Sequence, residues 1–448
     1  MTLRELRTSV KTNLWKFTVP EVLYYSSLTI IGLLLLLLII ATKSRTAIGS
    51  SEQPILLAYT ILITTFELSR LIAAMFYSNT VHLRKMSAED RAKANEYEPT
   101  ASFVIPCYNE GTAIEKTITK CFEAQYPKEK LEVIVINDGS TDNTREVLFN
   151  LKETKFPELI IIDFKKNQGK RHGMAAGFER AQGEIIIQLD SDSYIVPETF
   201  REIIAPFQNP AVGAVCAHAD PENADKNFLT KMQAAYYFLS FRILKAAESS
   251  FFTVFCCSGC SSAYRKSVVA PIMDIWLNEK FLGLPVTWGD DRALTNWVLK
   301  RGYKTMYTDL STAYTICPET LKGLFKQQVR WKKGWFVNSI NASKFIWKKE
   351  PFVAFTYFFP LIFVTLSTPF MAAKALVYNP IVKGIAPTYY IFGVFLVALL
   401  VTTFYRAVSR DNKYWKYVMA WSALNMVFLS FILFYALLSI QNRKWGTR

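Results

Sequence analysis

Five stretches of the chain, residues 22–41, 55–77, 352–378, 389–408 and 417–440, are apolar almost throughout, and a long segment of mixed character separates the second from the third. A run of about 20 apolar residues is the length that crosses a hydrocarbon core of about 30 Å. These stretches are therefore expected to span a membrane, and the mixed segment to fold in water. The first holds the unbroken run 33–40 and no charge; the second carries Glu67 and Arg70 one turn apart. Charges are costly in lipid, so this pair is expected either to line a polar path or to close on itself inside a helix bundle.

Inside the mixed segment the period changes. Val/Ile-rich runs at 102–106, 132–136, 159–164 and 184–189 are predicted strands, with predicted helices over 115–124 and 144–153. Continuous apolar strands joined by helical crossovers imply a parallel sheet covered on both faces. Ligands bind such sheets beyond the carboxyl ends of the strands. Polar residues gather there: Tyr108, Asn109 and Glu110 after the first strand, Asp138-Gly139-Ser140 after the second, Asp190 and Asp192 after the last. Each alone suits a turn or a helix cap. Three acidic tips on one edge suit a nucleotide pocket.

The 448 residues are 51% hydrophobic and 15% aromatic, too apolar for an ordinary soluble enzyme. Arg4, Arg7, Lys11 and Lys16 precede a first span that is longer than a signal-peptide core and has no small-residue cleavage site. It is expected to remain as an anchor with a cytoplasmic N-terminus, and two crossings return the mixed segment to the cytoplasm. The formal charge of +15 could serve nucleic acid, but Lys and Arg collect beside the spans and over 322–349, where Phe325, Trp331, Trp335, Phe336, Phe345 and Trp347 interleave with them. That placement suits helices at a lipid surface, so membrane lipids rather than nucleic acid are the expected partner. Seven cysteines in a cytoplasmic segment argue against disulfides, and Cys256, Cys257 and Cys260, with no second pair at zinc spacing, are expected to be buried thiols.

Asp190 and Asp192, two carboxylates at i and i+2 on a strand tip, can share a hard divalent cation, Mg²⁺ or Mn²⁺, which neutralises a diphosphate. Such a motif is weak alone. It gains weight from Gly289-Asp290-Asp291-Arg292 and Gln327-x-x-Arg330-Trp331 downstream. An acid in the first of these could take a proton from an attacking hydroxyl, or simply cap the helix that follows. In the second, the spacing i, i+3, i+4 puts amide, guanidinium and indole on one helix face. Lys170, in Gly169-Lys170-Arg171-His172 ahead of a helix, is placed to offset phosphate charge beside the helix N-terminus; an exposed basic turn is the alternative.

The ordered set of these motifs, from Val104-Ile105-Pro106-Cys107-Tyr108-Asn109-Glu110 and Asp138-Gly139-Ser140-Thr141-Asp142 to Gln327-x-x-Arg330-Trp331, resembles the processive family 2 glycosyltransferases. Within them it is most similar to the hyaluronan synthases, as are Cys256-Cys257-Ser258-Gly259 and the terminal Trp445-Gly446-Thr447-Arg448. The resemblance covers 102–335 and the C-terminus. It implies an α/β, Rossmann-like GT-A domain over 99–317, set between a membrane region at 1–98 and another at 351–448, with amphipathic interface helices at 318–350. It further implies that Tyr108, Glu110 and Asp138 hold uridine, that Lys170 offsets the diphosphate, that Asp190 approaches ribose and metal, and that Asp192 is the main ligand of Mg²⁺ or Mn²⁺. Gln327 and Arg330 would meet the donor, and Trp331, Asp290, Cys257 and Gly259 the acceptor. Asp291 is the expected base.

The expected activity is polymerisation of hyaluronan from UDP-GlcNAc and UDP-glucuronate, with the growing polysaccharide passed across the membrane. Synthases of this kind usually carry Ser-Gly-Pro where this chain has Ser258-Gly259-Cys260, and chitin-oligosaccharide synthases share most of the other motifs. A chitin-like or other β-glycan is thus the second expectation. A transporter or receptor with a regulatory domain, or a transferase to a lipid-linked monosaccharide, would not call for Gln-x-x-Arg-Trp.

Trp445, Thr447 and Arg448 are expected to close over the nucleotide. Five simple crossings would leave them outside, so one C-terminal stretch is expected not to cross as a single straight helix. Residues 417–440, with Trp421, Ser422, Asn425 and Ser430, are the first choice, and 352–378, with Pro360 and Pro369, the second.

Overall fold

The computed structural model describes residues 19–48, 62–63, 66–67, 69–77 and 96–442. The chain divides into two compact units, one formed within 1–60 and 371–427, the other within 61–370 and 428–448.

In the first unit, helix α1 (Val19–Ile48) runs beside the apolar helix Thr388–Val408. Tyr24 donates its hydroxyl to the Arg406 carbonyl at 3.2 Å, and the Arg410 guanidinium lies 4.9 Å above the Tyr24 ring. Among the described residues, Pro351–Lys383 and Thr388–Val408 are long and apolar enough to cross a membrane. A third crossing would need Lys413–Leu429 and Ile432–Leu438 together, and these are bent by 40° at the break. The bend lies inside the stretch expected to be broken. Of the second expected span, 55–77, only part is described; there Arg70 closes on Glu67 at 2.8 Å, the mutual pairing that is one of the two expectations.

The second unit is built on a sheet of strands β1 (Ala101–Cys107), β2 (Leu131–Asn137), β3 (Ile160–Asp163), β4 (Ile185–Gln188), β5 (Tyr194–Ile195), β6 (Val212–Pro221), β7 (Ser262–Arg265) and, after the short hairpin β8 (Lys280–Phe281) and β9 (Leu284–Pro285), β10 (Lys304–Thr315). Their order is β3-β2-β1-β4-β7-β6-β10-β5. Four of the strands were legible as apolar runs, and the helices between them are α2 (Ile114–Phe122), α3 (Thr144–Thr154) and α4 (Lys170–Arg180). Every residue of β1 is buried, as a central strand covered on both faces requires.

The four strands read from the sequence form the expected parallel sheet, and the strands added beside them make the whole sheet mixed. Strands β3, β2, β1 and β4 are parallel, but β7 runs antiparallel to both β4 and β6, and β5 antiparallel to β10. The reason is connectivity. Helix α5 (Phe228–Leu239) and its continuation to Ser249 carry the chain from β6 to β7, which returns beside β6 in the opposite direction instead of crossing over to a parallel position.

The order 3-2-1-4 reverses between β1 and β4, which makes their carboxyl ends a switch point where a crevice opens. The β1–β4 pairing stops at Val104 and Gln188. Pro106, with no N–H to give, falls beyond the last pair, where the strands diverge.

Candidate active site

One wall of the crevice is the turn after β1. Asn109 takes the left-handed conformation (φ 56°), its side-chain carbonyl accepting the Thr141 N–H at 2.8 Å while its own N–H reaches Ser140 Oγ at 3.0 Å. Glu110 N–H donates to Thr144 Oγ1 at 2.9 Å. The first two strand tips are thereby tied to each other, with Tyr108 and Glu110 half-buried beside them. Asp138 is buried, and its carboxylate accepts the backbone N–H groups of Gln168 (2.7 Å) and Gly169 (2.8 Å). Burial pushes this carboxyl above its ordinary range, against the pull of those two N–H groups. Both oxygens are thus committed to holding the loop that launches α4.

Lys170, at the start of α4, pairs with Asp190 beyond β4. Burial works against its charge, but the carboxylates of Asp190, Asp290 and Asp291 outweigh it, and the ammonium is held above its ordinary pKa. Gln188 amide NH₂ contacts Asp190 Oδ1 at 3.4 Å and the Gly259 carbonyl at 3.2 Å. A Cβ on Gly259 would lie 2.9 Å from Asp190 Oδ1, so a larger residue here would have to displace that carboxylate. Asp192, two residues on, accepts a hydrogen bond from Ser193 Oγ at 3.0 Å and is half-buried.

Opposite this tip, helix α6 (Asp290–Lys300) begins at Gly289, whose φ is 66°. Successive residues of a helix point about 100° apart, and the two acids diverge accordingly. Asp290 is 3% exposed, and Arg171 Nε donates to it at 2.7 Å. The same guanidinium reaches Glu279 (3.1 Å) and the Trp276 carbonyl (2.8 Å). The contact with acceptor expected of Asp290 is therefore not where its carboxylate points; it faces Arg171 in the interior.

Asp291 turns to the crevice. Its Oδ2 accepts the Gly259 N–H at 3.1 Å and lies 3.7 Å from Cys256 Sγ, while Oδ1 accepts the Arg292 N–H at 2.8 Å. Gly259 is thus a hinge between the two acidic centres: its carbonyl accepts the Asp190 N–H at 2.9 Å and its N–H serves Asp291. Cys257 is a fully buried thiol behind this loop, its N–H on Thr295 Oγ1 at 2.9 Å. Burial, and then the charge of Asp291, push the Cys256 thiol up to about 12.

Helix α7 (Leu321–Ser343) carries Gln327, Arg330 and Trp331 and crosses the start of α6 at Gly289 and Gly334. A Cβ on Gly289 would stand 2.9 Å from the Gly334 Cα, and Asn338 Nδ2 donates to the Gly289 carbonyl at 3.2 Å. Gly289→Ala is expected to lower the thermal midpoint of the detergent-purified protein, because the left-handed backbone alone costs a Cβ residue about 1–2 kcal/mol before the clash is counted. An unchanged midpoint would show that the helices part without cost. Trp331 is 37% exposed, and Gln327 Oε1 is buried with no partner among the described residues. Lys333 reaches the carbonyls of Ser439 (2.6 Å) and Asn442 (3.0 Å), fixing residues 439–442 against α7. Trp445, Thr447 and Arg448 lie outside the described residues.

Gln188 and Asn338 stand in none of the sequence motifs, and Arg171 stands in one without a role of its own. Each works on another site residue through an interior contact, and only a motif neighbour, the Lys170 beside Arg171, hinted at any of them.

The profile of the family "Glycosyl transferase family 2" matches residues 102–272. A hyaluronan synthase of Streptococcus pyogenes serotype M1 is 30% identical over 370 residues, covering 80% of this chain and 85% of that one. An N-acetylglucosaminyltransferase of Mesorhizobium japonicum is 28% identical over 297 residues, 66% of this chain and 68% of that protein. Among solved structures, the mannosyltransferase PcManGT from Pyrobaculum calidifontis, in complex with GDP-Man and Mn²⁺, superposes with a TM-score of 0.56 at 18% identity, over 86% of this chain and 98% of its own. With that fold, those relatives and a crevice flanked by Asp190 and Asp291, the chain belongs to the hyaluronan synthase-like family 2 glycosyltransferases, and it is a UDP-sugar glycosyltransferase with a GT-A-like fold.

Proposed function

We propose that this chain polymerises hyaluronan from UDP-GlcNAc and UDP-glucuronate at a cytoplasmic face and delivers the polymer across the membrane that holds it. The observation that carries the reading is the Gly259 bridge, which sets the carboxylate of Asp291 across one residue from the D-x-D tip. A transfer with inversion needs that layout: a base on the acceptor side and charge compensation on the leaving-group side.

In this reading Asp291 takes the proton of the acceptor hydroxyl as it attacks the anomeric carbon. Lys170 offsets the charge that grows on the departing diphosphate, Tyr108 and Glu110 flank the uridine, and Asp138 supports it through the 168–169 loop. Gln327, whose buried carbonyl oxygen has no protein partner among the described residues, and Arg330 meet the donor, while Trp331 gives the acceptor sugar an apolar face. Asp290 serves the acceptor only indirectly, by anchoring the turn that carries Asp291.

Among the described residues no group of three or more metal-ligating side chains exists. Asp192 and Asp190 are hard oxygen donors that fit Mg²⁺ or Mn²⁺ as part of a shell completed by diphosphate, the arrangement such ions adopt with nucleotides, and the Mn²⁺ bound by the mannosyltransferase is in keeping with it. A cation held there supplies charge neutralisation to the diphosphate. Asp192→Asn is expected to weaken metal and UDP-sugar binding together, measured by metal titration of donor binding; unchanged metal dependence would remove the ligand assignment.

The donors themselves are tested by supplying UDP-GlcNAc and UDP-glucuronate separately and together, then digesting the product with hyaluronidase or chitinase. High polymer is expected only with both. Long product from UDP-GlcNAc alone selects the second reading, a chitin-like synthase, which Cys260 in place of proline and the N-acetylglucosaminyltransferase relative favour. Trp445, Thr447 and Arg448 complete the reading as a cover over the bound nucleotide, on the same side of the membrane as the crevice. Labelling of a cysteine placed after Arg448 by an impermeant thiol reagent outside intact cells would sink that placement.

A further inference from the structure

Beyond α5 the helix continues through a π turn, Ser240–Lys245, and a last turn, Ala246–Ser249. These turns bring Lys245 and Glu248, 6% and 9% exposed, under the loop that ends at Gly259. Two ionisable side chains this deep have no part in the transfer as derived above.

Both side chains reach one loop. Lys245 Nζ donates to the Cys256 carbonyl and, at 2.8 Å, to Ser258 Oγ. Glu248 Oε2 accepts the Phe255 N–H at 3.1 Å, and its backbone carbonyl accepts the Thr253 N–H at 3.1 Å. The remaining carboxylate oxygen, Oε1, accepts the hydroxyl of Tyr357 at 2.7 Å. Tyr357 belongs to the helix Pro351–Lys383, one of the two among the described residues that are long and apolar enough to cross a membrane. Around this bond Phe255 stacks on Phe358, with ring centroids 4.8 Å apart, and lies parallel to the Tyr357 ring.

We propose that Glu248 is a positioning residue that ties the loop 253–259 to the start of that helix, and so holds the Gly259 N–H against Asp291 Oδ2. The proposal rests on Asp291 being the base. The base is thereby referenced to the helix Pro351–Lys383 as well as to the sheet. A buried carboxylate suits the task because each of its oxygens fixes one partner in direction and distance, where an apolar side chain would only fill space.

The test uses the full chain in lipid nanodiscs with UDP release as the assay. Glu248→Gln can keep both bonds, its carbonyl accepting from Phe255 and its NH₂ donating to the Tyr357 oxygen, and is expected to retain kcat. Glu248→Ala is expected to lose about tenfold or more in kcat with little change in donor KM, the signature of a displaced reacting group. Tyr357→Phe, which removes one hydroxyl and leaves the ring stack, is expected to lower kcat in the same manner but less, and it carries the test if the alanine variant fails to fold. A donor KM that rises in step with the fall in kcat, or a glutamine variant as impaired as alanine, overturns the proposal. Asp291→Asn in the same preparation separates the two claims. Full turnover there overturns the base assignment, whereas unchanged kcat in Tyr357→Phe beside an inactive Asp291→Asn overturns the positioning role alone.

Discussion

Asp291→Asn is expected to leave UDP binding nearly intact and to lower sugar transfer by about 10²-fold or more, the loss that follows removal of a positioned base. The substitution keeps the size of the side chain and deletes its proton affinity. It has one structural cost. Asp291 accepts N–H groups from both Gly259 and Arg292, and asparagine has a single carbonyl oxygen for the two. One such bond is worth about 1 kcal/mol, roughly fivefold, so local disturbance cannot imitate the loss of a base. UDP binding by calorimetry and UDP release under saturating donor check the two halves separately. Retained turnover would move the role to another acid of the crevice.

Arg171→Met is expected to produce the largest loss of stability, about 3–5 kcal/mol, because it strands two acids of the interior without their common cation. Asp290 and Glu279 both close on Arg171, and the guanidinium also lies 5.0 Å from the Trp276 ring. The effect has a pH signature. Burial already holds the Asp290 carboxyl above its ordinary 3.8, with Arg171 and Lys170 pulling it back only in part. Without Arg171 the folded-state pKa climbs further, while the unfolded chain still titrates at its ordinary value. A carboxyl raised in the folded state weakens the fold as pH climbs from the unfolded pKa to the folded one. The deficit of Arg171→Met should therefore be greatest at neutral pH and shrink on acidification through that window. Thermal midpoints of the two proteins between neutral and mildly acidic pH measure it; a deficit independent of pH would mean that Asp290 is not the stranded charge.

The same turn shows how far the sequence reaches. Asp290 and Asp291 are neighbours in a motif, and the motif marks the place, but a helix points consecutive side chains in different directions. Which one meets the crevice depends on Arg171, distant in the chain and brought under α6 by the packing of α4. Glu248 is hidden for a related reason. Its partners Phe255 and Tyr357 come from a loop and the apolar helix Pro351–Lys383, and no period or spacing links the three.

What the sequence determined by itself is what local physics controls. Apolar runs of membrane length, the strand and helix periods of 102–189, and the clustering of Asp, Asn and Gly at strand ends all act within a few residues of one another, so they are written in order along the chain. The position of β7 between β4 and β6, its reversed direction, and the closure of Gly259 on both Asp190 and Asp291 are decided only when distant segments compete for the same sheet edge. Those contacts exchange one set of neighbours for another at little local cost, and only the packed structure selects among them.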